Sequence, residues 1–258
     1  SVDRAEKVMT QMDSEISLVA LGRTDSQQLQ FDRVSGEQFS VVADAGEVNI
    51  TRIGENSTDV LMDDVALVTI EFEKGDTVIA YQGGGVWRSD GPGSSMISPP
   101  EFHYRDRTLT LPLVTVSGER SLGSGAVIEK DESSTTYYPT EAFPNPLEDD
   151  VVQVTVESEF HHGWKSYFET RTEGNVTHDP ANQRVSVNLT APAIETFDHG
   201  AATTSNEAPE SGPQGEIERR GAAINAPSAS DTVDGRIDTC EAGGCTAAGG
   251  SFGGETLS

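Results

Sequence analysis

The five histidines of this chain could do the most specific chemistry, because imidazole binds metal ions and exchanges protons near neutral pH. His161 and His162 are adjacent, and adjacent side chains on a strand point to opposite faces, so this pair could not easily share one ion. His103 and His178 are too scattered in the sequence to be assigned to a common site. We therefore predict no metal site and interpret the histidines as surface or rim groups.

Known catalytic motifs are incomplete in this sequence. Residues 121–125 lack the first glycine of the Gly-x-Ser-x-Gly nucleophile turn. The triplet at residues 83–85 is rich in glycine, but it lacks the Gly-Lys-Ser/Thr ending of a phosphate-binding loop. Carboxylates are so frequent that a pair of them says nothing about glycoside hydrolysis. We predict no catalytic residue, no cofactor and no enzymatic activity.

Residues 230–241 align with the twelve-residue calcium loop of an EF-hand. Gly235 falls at the sharp turn and Glu241 at the twelfth position. Ser230 and Thr232, however, replace the acidic or amide ligands expected at the first and third positions, and no amphipathic helices flank the segment. A turn in an acidic linker is the better interpretation.

Four asparagines fit the Asn-x-Ser/Thr acceptor pattern of N-glycosylation, where about one or two would be expected by chance. They are Asn49, Asn56, Asn175 and Asn188. Since this modification marks exported surfaces, the excess predicts an extracellular or cell-surface location.

The only cysteines are Cys240 and Cys245, which lie close together in a glycine-rich stretch. We predict that they pair as a small disulfide loop, with free or interchain thiols as the alternative. A structural zinc site is not expected, since it would need four ligands and the chain has no other cysteine.

The charge of the chain is strongly negative, with 43 Asp and Glu against 17 Lys and Arg and a formal net charge of −26. Such a surface repels itself in dilute buffer and is screened in concentrated salt. We predict a protein adapted to high salt, with an ordinary acidic secreted protein as the alternative. Nucleic acid and anionic membrane surfaces are unsuitable partners for so many carboxylates.

The first 22 residues predict an amphipathic helix followed by a glycine stop at Gly22. Its apolar positions recur at steps of three and four: Val2, Ala5, Met9, Met12, Ile16 and Val19. The helix could dock on its own domain. Alternatively, it could be the exposed end of a longer helix, cut away before Ser1, that packs against copies of itself or a membrane anchor.

Apolar residues alternate at a period of two between residues 27 and 190, which predicts many short strands with one internal helix near Gly163. The clearest signal is a hairpin of residues 66–73 and 77–81. Trp87 is expected in the core rather than on a ligand platform. Beyond residue 198 the composition becomes rich in Gly, Ala, Ser and Pro, which predicts disorder.

The predicted fold class is α+β: a helix at 1–22, a β-rich, sandwich-like ectodomain at 23–198, and an acidic disordered tail at 199–258.

Six segments of the first 198 residues carry a family resemblance: residues 3–22, 80–88, 96–104, 108–112, 163–168 and 172–177. Together they resemble haloarchaeal type IV pilin-like surface proteins. This resemblance implies a membrane-spanning N-terminal helix, absent from this chain, that anchors the precursor and then builds a filament core with other pilin-like subunits. It implies a pilin-type β-domain facing outward, and no calcium, substrate or enzymatic activity.

The expected function is therefore that of a glycosylated, pilin-like structural or interaction protein of the cell surface, acting in filament assembly, adhesion or cell contact. The alternative is a carbohydrate- or calcium-dependent binding module. A carbohydrate-binding module would expose aromatic side chains around Trp87 or Trp164.

Overall fold

The computed structural model describes residues 1–31, 38–105, 108–118, 121–144, 151–190 and 214–227. Two α-helices and one 3₁₀ turn are found in these ranges: α1 (Val2–Ala20), α2 (His161–Arg171) and the turn Pro180–Asn182. The strands are β1 (Ser26–Gln30), β2 (Phe39–Val42), β3 (Gly46–Ile53), β4 (Thr58–Ala66), β5 (Thr69–Lys74), β6 (Thr77–Gln82), β7 (Gly85–Asp90), β8 (Gly93–Ser98), β9 (His103–Arg105), β10 (Thr108–Gly118), β11 (Ser121–Leu122), β12 (Gly125–Tyr138), β13 (Val151–Ser158), β14 (Asn175–Asp179), β15 (Arg184–Thr190) and β16 (Gln214–Asn225).

The predicted α+β class is wrong, because strands make up 58% of the structure and helices 18%. The predicted β-rich domain is present, but its strands are longer than the sequence pattern suggested. β12 alone runs for 14 residues, where the sequence pattern predicted short strands. The protein is mostly β, with helices that cover sheets rather than forming a layer of comparable size.

Three sheets build the body. The first sheet has the strand order β1-β12-β16-β10-β9, the second β11-β2-β5-β6-β7-β8 and the third β14-β15-β13-β3-β4. The second sheet is a run of hairpins from β5 to β8. The third sheet combines strands that are far apart in sequence, since β13 pairs with both β3 and β15.

The predicted disordered tail is wrong for residues 214–225, which form β16, an interior strand of the first sheet. It runs parallel to β10 and antiparallel to β12. Ile217, Ala222 and Ile224 are fully buried. The sequence hid this strand because only four of its 12 residues are apolar and two of those are alanines. Its neighbours in the sheet are also distant in sequence, so no local hairpin pattern marks it. The other residues predicted as tail lie outside the described ranges, apart from residues 226 and 227.

Helix α1 is docked on its own domain, as one of the two interpretations of its sequence predicted. Its stripe residues Ala5, Met9, Met12, Ile16 and Val19 are fully buried. They belong to a core, here called the α1 core, shared by the first and second sheets; it includes Leu29, Ile70, Ile79, Val116, Ile128 and Ile224. The chain leaves the helix at Gly22, which has a φ of +74°, so the predicted glycine stop is confirmed.

A second core, here called the tryptophan core, lies beneath α2 and the third sheet. Trp87 and Trp164 stack with ring centroids 4.6 Å apart and are both fully buried. Tyr167 and Phe168 of α2 pack beside them. The predicted internal helix is therefore confirmed, and its aromatic side chains fix it on the body.

Gln82 joins these elements through a buried, fully partnered amide. Its Nε2 donates to Thr69 Oγ1 (2.9 Å) and to the carbonyl of Ala45 (3.2 Å). Its Oε1 accepts from Ser158 Oγ (2.7 Å) and Trp164 Nε1 (3.1 Å). Because an unpartnered buried amide is costly, this network fixes α2, β6 and β13 in one arrangement.

Candidate functional site

The third sheet has one apolar and one polar side. Its inner side chains are buried valines, isoleucine and leucine: Val48, Ile50, Val152, Val154, Val156, Val185, Val187 and Leu189. The opposite side carries two rows of uncharged polar residues, here called the polar face, that run across four strands. The rows are Asn175, Asn188, Gln153, Thr51 and Thr177, Ser186, Thr155, Asn49.

Hydrogen bonds order the side chains of the polar face. Gln153 Nε2 donates to Asn188 Oδ1 at 2.8 Å, and the hydroxyls of Thr155 and Ser186 are 2.8 Å apart. Asn49 Oδ1 accepts from the backbone N–H of Asp64 at 2.8 Å. In both asparagines it is the oxygen that makes these contacts, so they do not use Nδ2, the atom to which an N-linked sugar is attached.

The structure brings the four predicted acceptor asparagines together. Asn49, Asn175 and Asn188 lie on the polar face, and Asn56 lies in the connection between β3 and β4 of the same sheet. Asn56 and Asn175 are exposed, whereas Asn49 and Asn188 are half-buried. Sequence spacing could not reveal this grouping, because it depends on the pairing of β13 with both β3 and β15.

Charged residues border the polar face at one end. Asp179, Arg184, Glu157 and Glu47 form the next cross-strand row, and Arg184 is ion-paired with Glu157 at 2.7 Å. Partial burial, together with the nearby carboxylates of Asp64 and Glu157, raises the pKa of Glu47. The uncharged polar face therefore ends at a row of charged residues.

Three histidines form a cluster that sequence reasoning missed. His161 and His162 open α2, and β14 places His178 beside them, with ligand atoms of all three rings within 4.8 Å of one another. The assumption that His161 and His162 lie on a strand was wrong. Successive helix residues are about 100° apart rather than opposite each other, so both rings can approach a third.

The contacts inside the histidine cluster are close. His161 Nδ1 and His178 Nε2 are 2.7 Å apart, so one donates a hydrogen bond to the other. Burial and the neighbouring histidines lower the pKa of His161, and burial, His162 and Lys165 lower that of His178. His162 Nδ1 is buried and has no hydrogen-bond partner among the described residues.

The remaining sequence candidates have structural roles or lie outside the described ranges. Gly83 and Gly84 form the tight β6–β7 turn with φ values of +62° and +86°, and a side chain at Gly83 would collide with Trp164. His103 lies on β9. Cys240, Cys245 and the calcium-loop-like segment 230–241 fall outside the described residues.

Fold and site together define a mostly β, strongly acidic protein whose third sheet carries the uncharged polar face beside a row of charged residues. The chain belongs to a family of unknown function, DUF7289, whose profile matches residues 1–200. No curated protein and no solved structure matches the chain. Neither α1 nor α2, the helices of the described ranges, has both the length and the apolar character needed to cross a bilayer.

Proposed function

We propose that this protein is a glycosylated structural or interaction protein of the cell surface, and that its polar face is the side turned towards the surroundings. The observation that carries the proposal is the collection of all four acceptor asparagines on one sheet and its β3–β4 connection. These residues are spread along the sequence from 49 to 188, so their grouping is a property of the fold.

The composition of the polar face supports this role. None of its eight residues is charged, although the chain carries a formal net charge of −26. Short hydroxyl and amide side chains can hydrogen-bond to sugar hydroxyls without the cost of burying a charge. A sugar attached to Nδ2 of Asn49 or Asn188 also leaves the observed hydrogen bonds of Oδ1 intact.

The contacts of α1 support an interaction surface that does not involve its apolar stripe. Its apolar stripe is already buried in the α1 core, so association through that stripe would require the helix to leave its own domain. Contacts with other molecules therefore use the polar face and its glycans in this proposal. This differs from the filament-core contact that the pilin-like resemblance implies for an N-terminal helix.

The alternative of a carbohydrate-binding module receives little support from the aromatic residues. Trp87 and Trp164 are both fully buried, so neither indole offers a platform for a sugar ring. The polar face carries acceptor sites for attached sugars rather than a concave aromatic patch.

Peptide mass spectrometry of the protein recovered from cells that produce it tests this function. We expect glycopeptides that contain Asn175 and at least one other predicted acceptor, and we expect protease treatment of intact cells to release peptides of this protein. Thr51→Ala should abolish modification at Asn49, because it removes the acceptor pattern. The matched variant Thr155→Ala changes a neighbouring threonine outside any acceptor pattern and should leave it unchanged. A protein found only inside the cell and unmodified at all four asparagines would overturn the proposal.

A further inference from the structure

We propose that His161, His162 and His178 bind one first-row transition-metal ion, Zn²⁺ or Cu²⁺, through three imidazole nitrogens and leave a further coordination position open to water or an external ligand. This inference is independent of the proposed function, since it concerns the start of α2 and the inward side of β14 rather than the polar face.

The distances suit a shared ion. Zinc–nitrogen bonds of about 2.0–2.1 Å in a tetrahedral site place the ligand nitrogens about 3.4 Å apart. The ligand atoms of the three histidines already lie within 4.8 Å of one another, and the His161–His178 nitrogen pair is at 2.7 Å. Ring rotations and small shifts would therefore be enough to convert the cluster into a coordination shell.

An unsatisfied nitrogen is a second, independent observation. Buried polar atoms in folded proteins are nearly always partnered. His162 Nδ1 is buried and lacks a hydrogen-bond partner among the described residues, whereas His161 and His178 bond to each other. Coordination through Nδ1 would supply the missing partner, which ring stacking and the single His161–His178 hydrogen bond do not.

The histidines sit on well-fixed elements, as a preorganised metal site requires. The start of α2 is held by the hydrogen bond from the Gly163 N–H to Ser94 Oγ (2.9 Å) and by the buried indole of Trp164 bonded to Gln82. Immediately after His178, Asp179 accepts a hydrogen bond from Asn182 Nδ2 (2.6 Å), which fixes the end of β14.

Charged residues of both signs surround the histidine cluster. The nitrogen ligands of the cluster determine which metal ions it can bind. Glu169 and Asp179 act on His178 with a favourable sign for a cation, and Lys165, which is ion-paired with Glu169, acts with the opposite sign. Imidazole donors suit Zn²⁺ and Cu²⁺, whereas Ca²⁺ and Mg²⁺ require oxygen ligands. The histidine cluster therefore suits a different kind of metal ion from the Ca²⁺ that the calcium-loop-like segment resembles a site for.

Calorimetric titration of the full chain, freed of metal with a chelator, with ZnCl₂ in concentrated KCl tests the site. The salt screens adventitious binding to surface carboxylates. We expect one ion per chain in the unchanged protein, and at least tenfold weaker binding in His178→Ala and His162→Ala. His103→Ala, on β9, and Ser166→Ala, on the exposed side of α2, are the matched controls and should bind as tightly as the unchanged protein.

A spectroscopic arm distinguishes coordination from loose association. Cu²⁺ bound at the cluster should show nitrogen hyperfine structure in its electron paramagnetic resonance spectrum, and His178→Gln should change that pattern. Circular dichroism melts establish that each variant is folded. Should His178→Ala fail to fold, the His178→Gln spectrum decides. Equal zinc affinity in the unchanged protein and in a folded cluster variant, or a copper spectrum with oxygen ligands only, would overturn the proposal.

Discussion

Asn175 and Asn188 are direct cross-strand partners in the antiparallel β14–β15 pair. Side chains opposite each other in such a pair have Cβ atoms about 5 Å apart. The two predicted acceptor sites therefore compete for the same space above the sheet. Asn175 lies on the edge strand and is exposed, whereas Asn188 is half-buried and bonded to Gln153.

This pairing predicts that the two sites are modified in a mutually exclusive way. We expect glycan on Asn175 in most molecules and molecules carrying both glycans to be rare, because the first sugar blocks access to the opposite asparagine. Asn175→Gln should raise occupancy at Asn188, whereas Asn56→Gln, in the β3–β4 connection, should not. Intact-mass and glycopeptide measurements check this expectation, and frequent double occupancy would contradict it.

The Gln82 network predicts a large loss of stability when its amide is removed. Gln82→Leu leaves the buried Trp164 Nε1 without its hydrogen-bond partner. Ser158 Oγ and Thr69 Oγ1 each lose one hydrogen bond and keep another, Ser158 Oγ with the Phe160 N–H and Thr69 Oγ1 with the Leu67 carbonyl. We expect the free energy of unfolding to fall by about 3 kcal/mol, since the orphaned indole N–H costs about 1–3 kcal/mol and each further lost hydrogen bond about 0.5–1.5 kcal/mol. Gln153→Leu loses one half-buried hydrogen bond on the polar face and should cost about 1 kcal/mol or less. Chemical denaturation of both variants gives the comparison, and equal losses would contradict it.

The buried carboxyl of Asp13 predicts that the stability of the protein depends on pH and that a substitution at this position reduces that dependence. Burial on α1, opposed by a hydrogen bond from Ser98 and reinforced by Glu101, raises its pKa to about 6. The folded protein therefore favours the protonated form. Above pH 6 the ionised carboxylate destabilises the folded protein. This destabilisation decreases as the pH falls from about 6 towards 3.8, the ordinary pKa of an aspartate.

Asp13→Asn keeps an acceptor for the Ser98 hydroxyl and removes the charge. We expect it to be more stable than the unchanged protein by about 2–3 kcal/mol at pH 8, with the advantage largely lost near pH 4. Glu71, whose pKa burial raises to about 7, contributes in the same direction, so Glu71→Gln serves as an independent comparison. Denaturation at several pH values measures the difference, and a constant difference would refute the assignment.

The acidic surface predicts dependence on salt. We expect cooperative unfolding to be lost below about 0.5 M KCl, where screening of the carboxylates becomes incomplete. Thermal melts between dilute buffer and 3 M KCl check this. Sucrose at matched osmolality is the control, since it strengthens burial without screening charge. A melting temperature indifferent to KCl would contradict the prediction.

The position of β16 in the first sheet predicts how far the chain can be shortened before it no longer folds. Truncation after residue 227 should leave a stable protein, because the compact unit runs from Ser1 to Ala226. Truncation after residue 200, where the family match ends, removes β16 and exposes the facing edges of β10 and β12. That shorter chain should aggregate or unfold. Size-exclusion chromatography and circular dichroism separate the two outcomes, and a soluble, cooperatively folded shorter chain would contradict the expectation.

Features encoded by neighbouring residues were predictable from the sequence. The stripe of α1 and its stop at Gly22 follow from local periodicity, as does the β5–β6 hairpin around residues 75 and 76. Features that depend on distant pairing were not. The histidine cluster needs α2 to start at His161 and β14 to return beside it, and β16 needs two partner strands more than 75 residues earlier in the chain.

The central place of β16 in the first sheet also has a consequence for biosynthesis. The α1 core includes Ile224 together with Met9 and Met12, so the earliest and latest parts of the compact unit meet in one apolar cluster. A nascent polypeptide cannot complete this cluster until residue 225 has left the ribosome. Contacts between such distant positions slow folding. Until β16 is synthesised, the apolar side chains of the incomplete α1 core remain exposed. The acidic surface would keep such an intermediate from sticking to its neighbours during that delay.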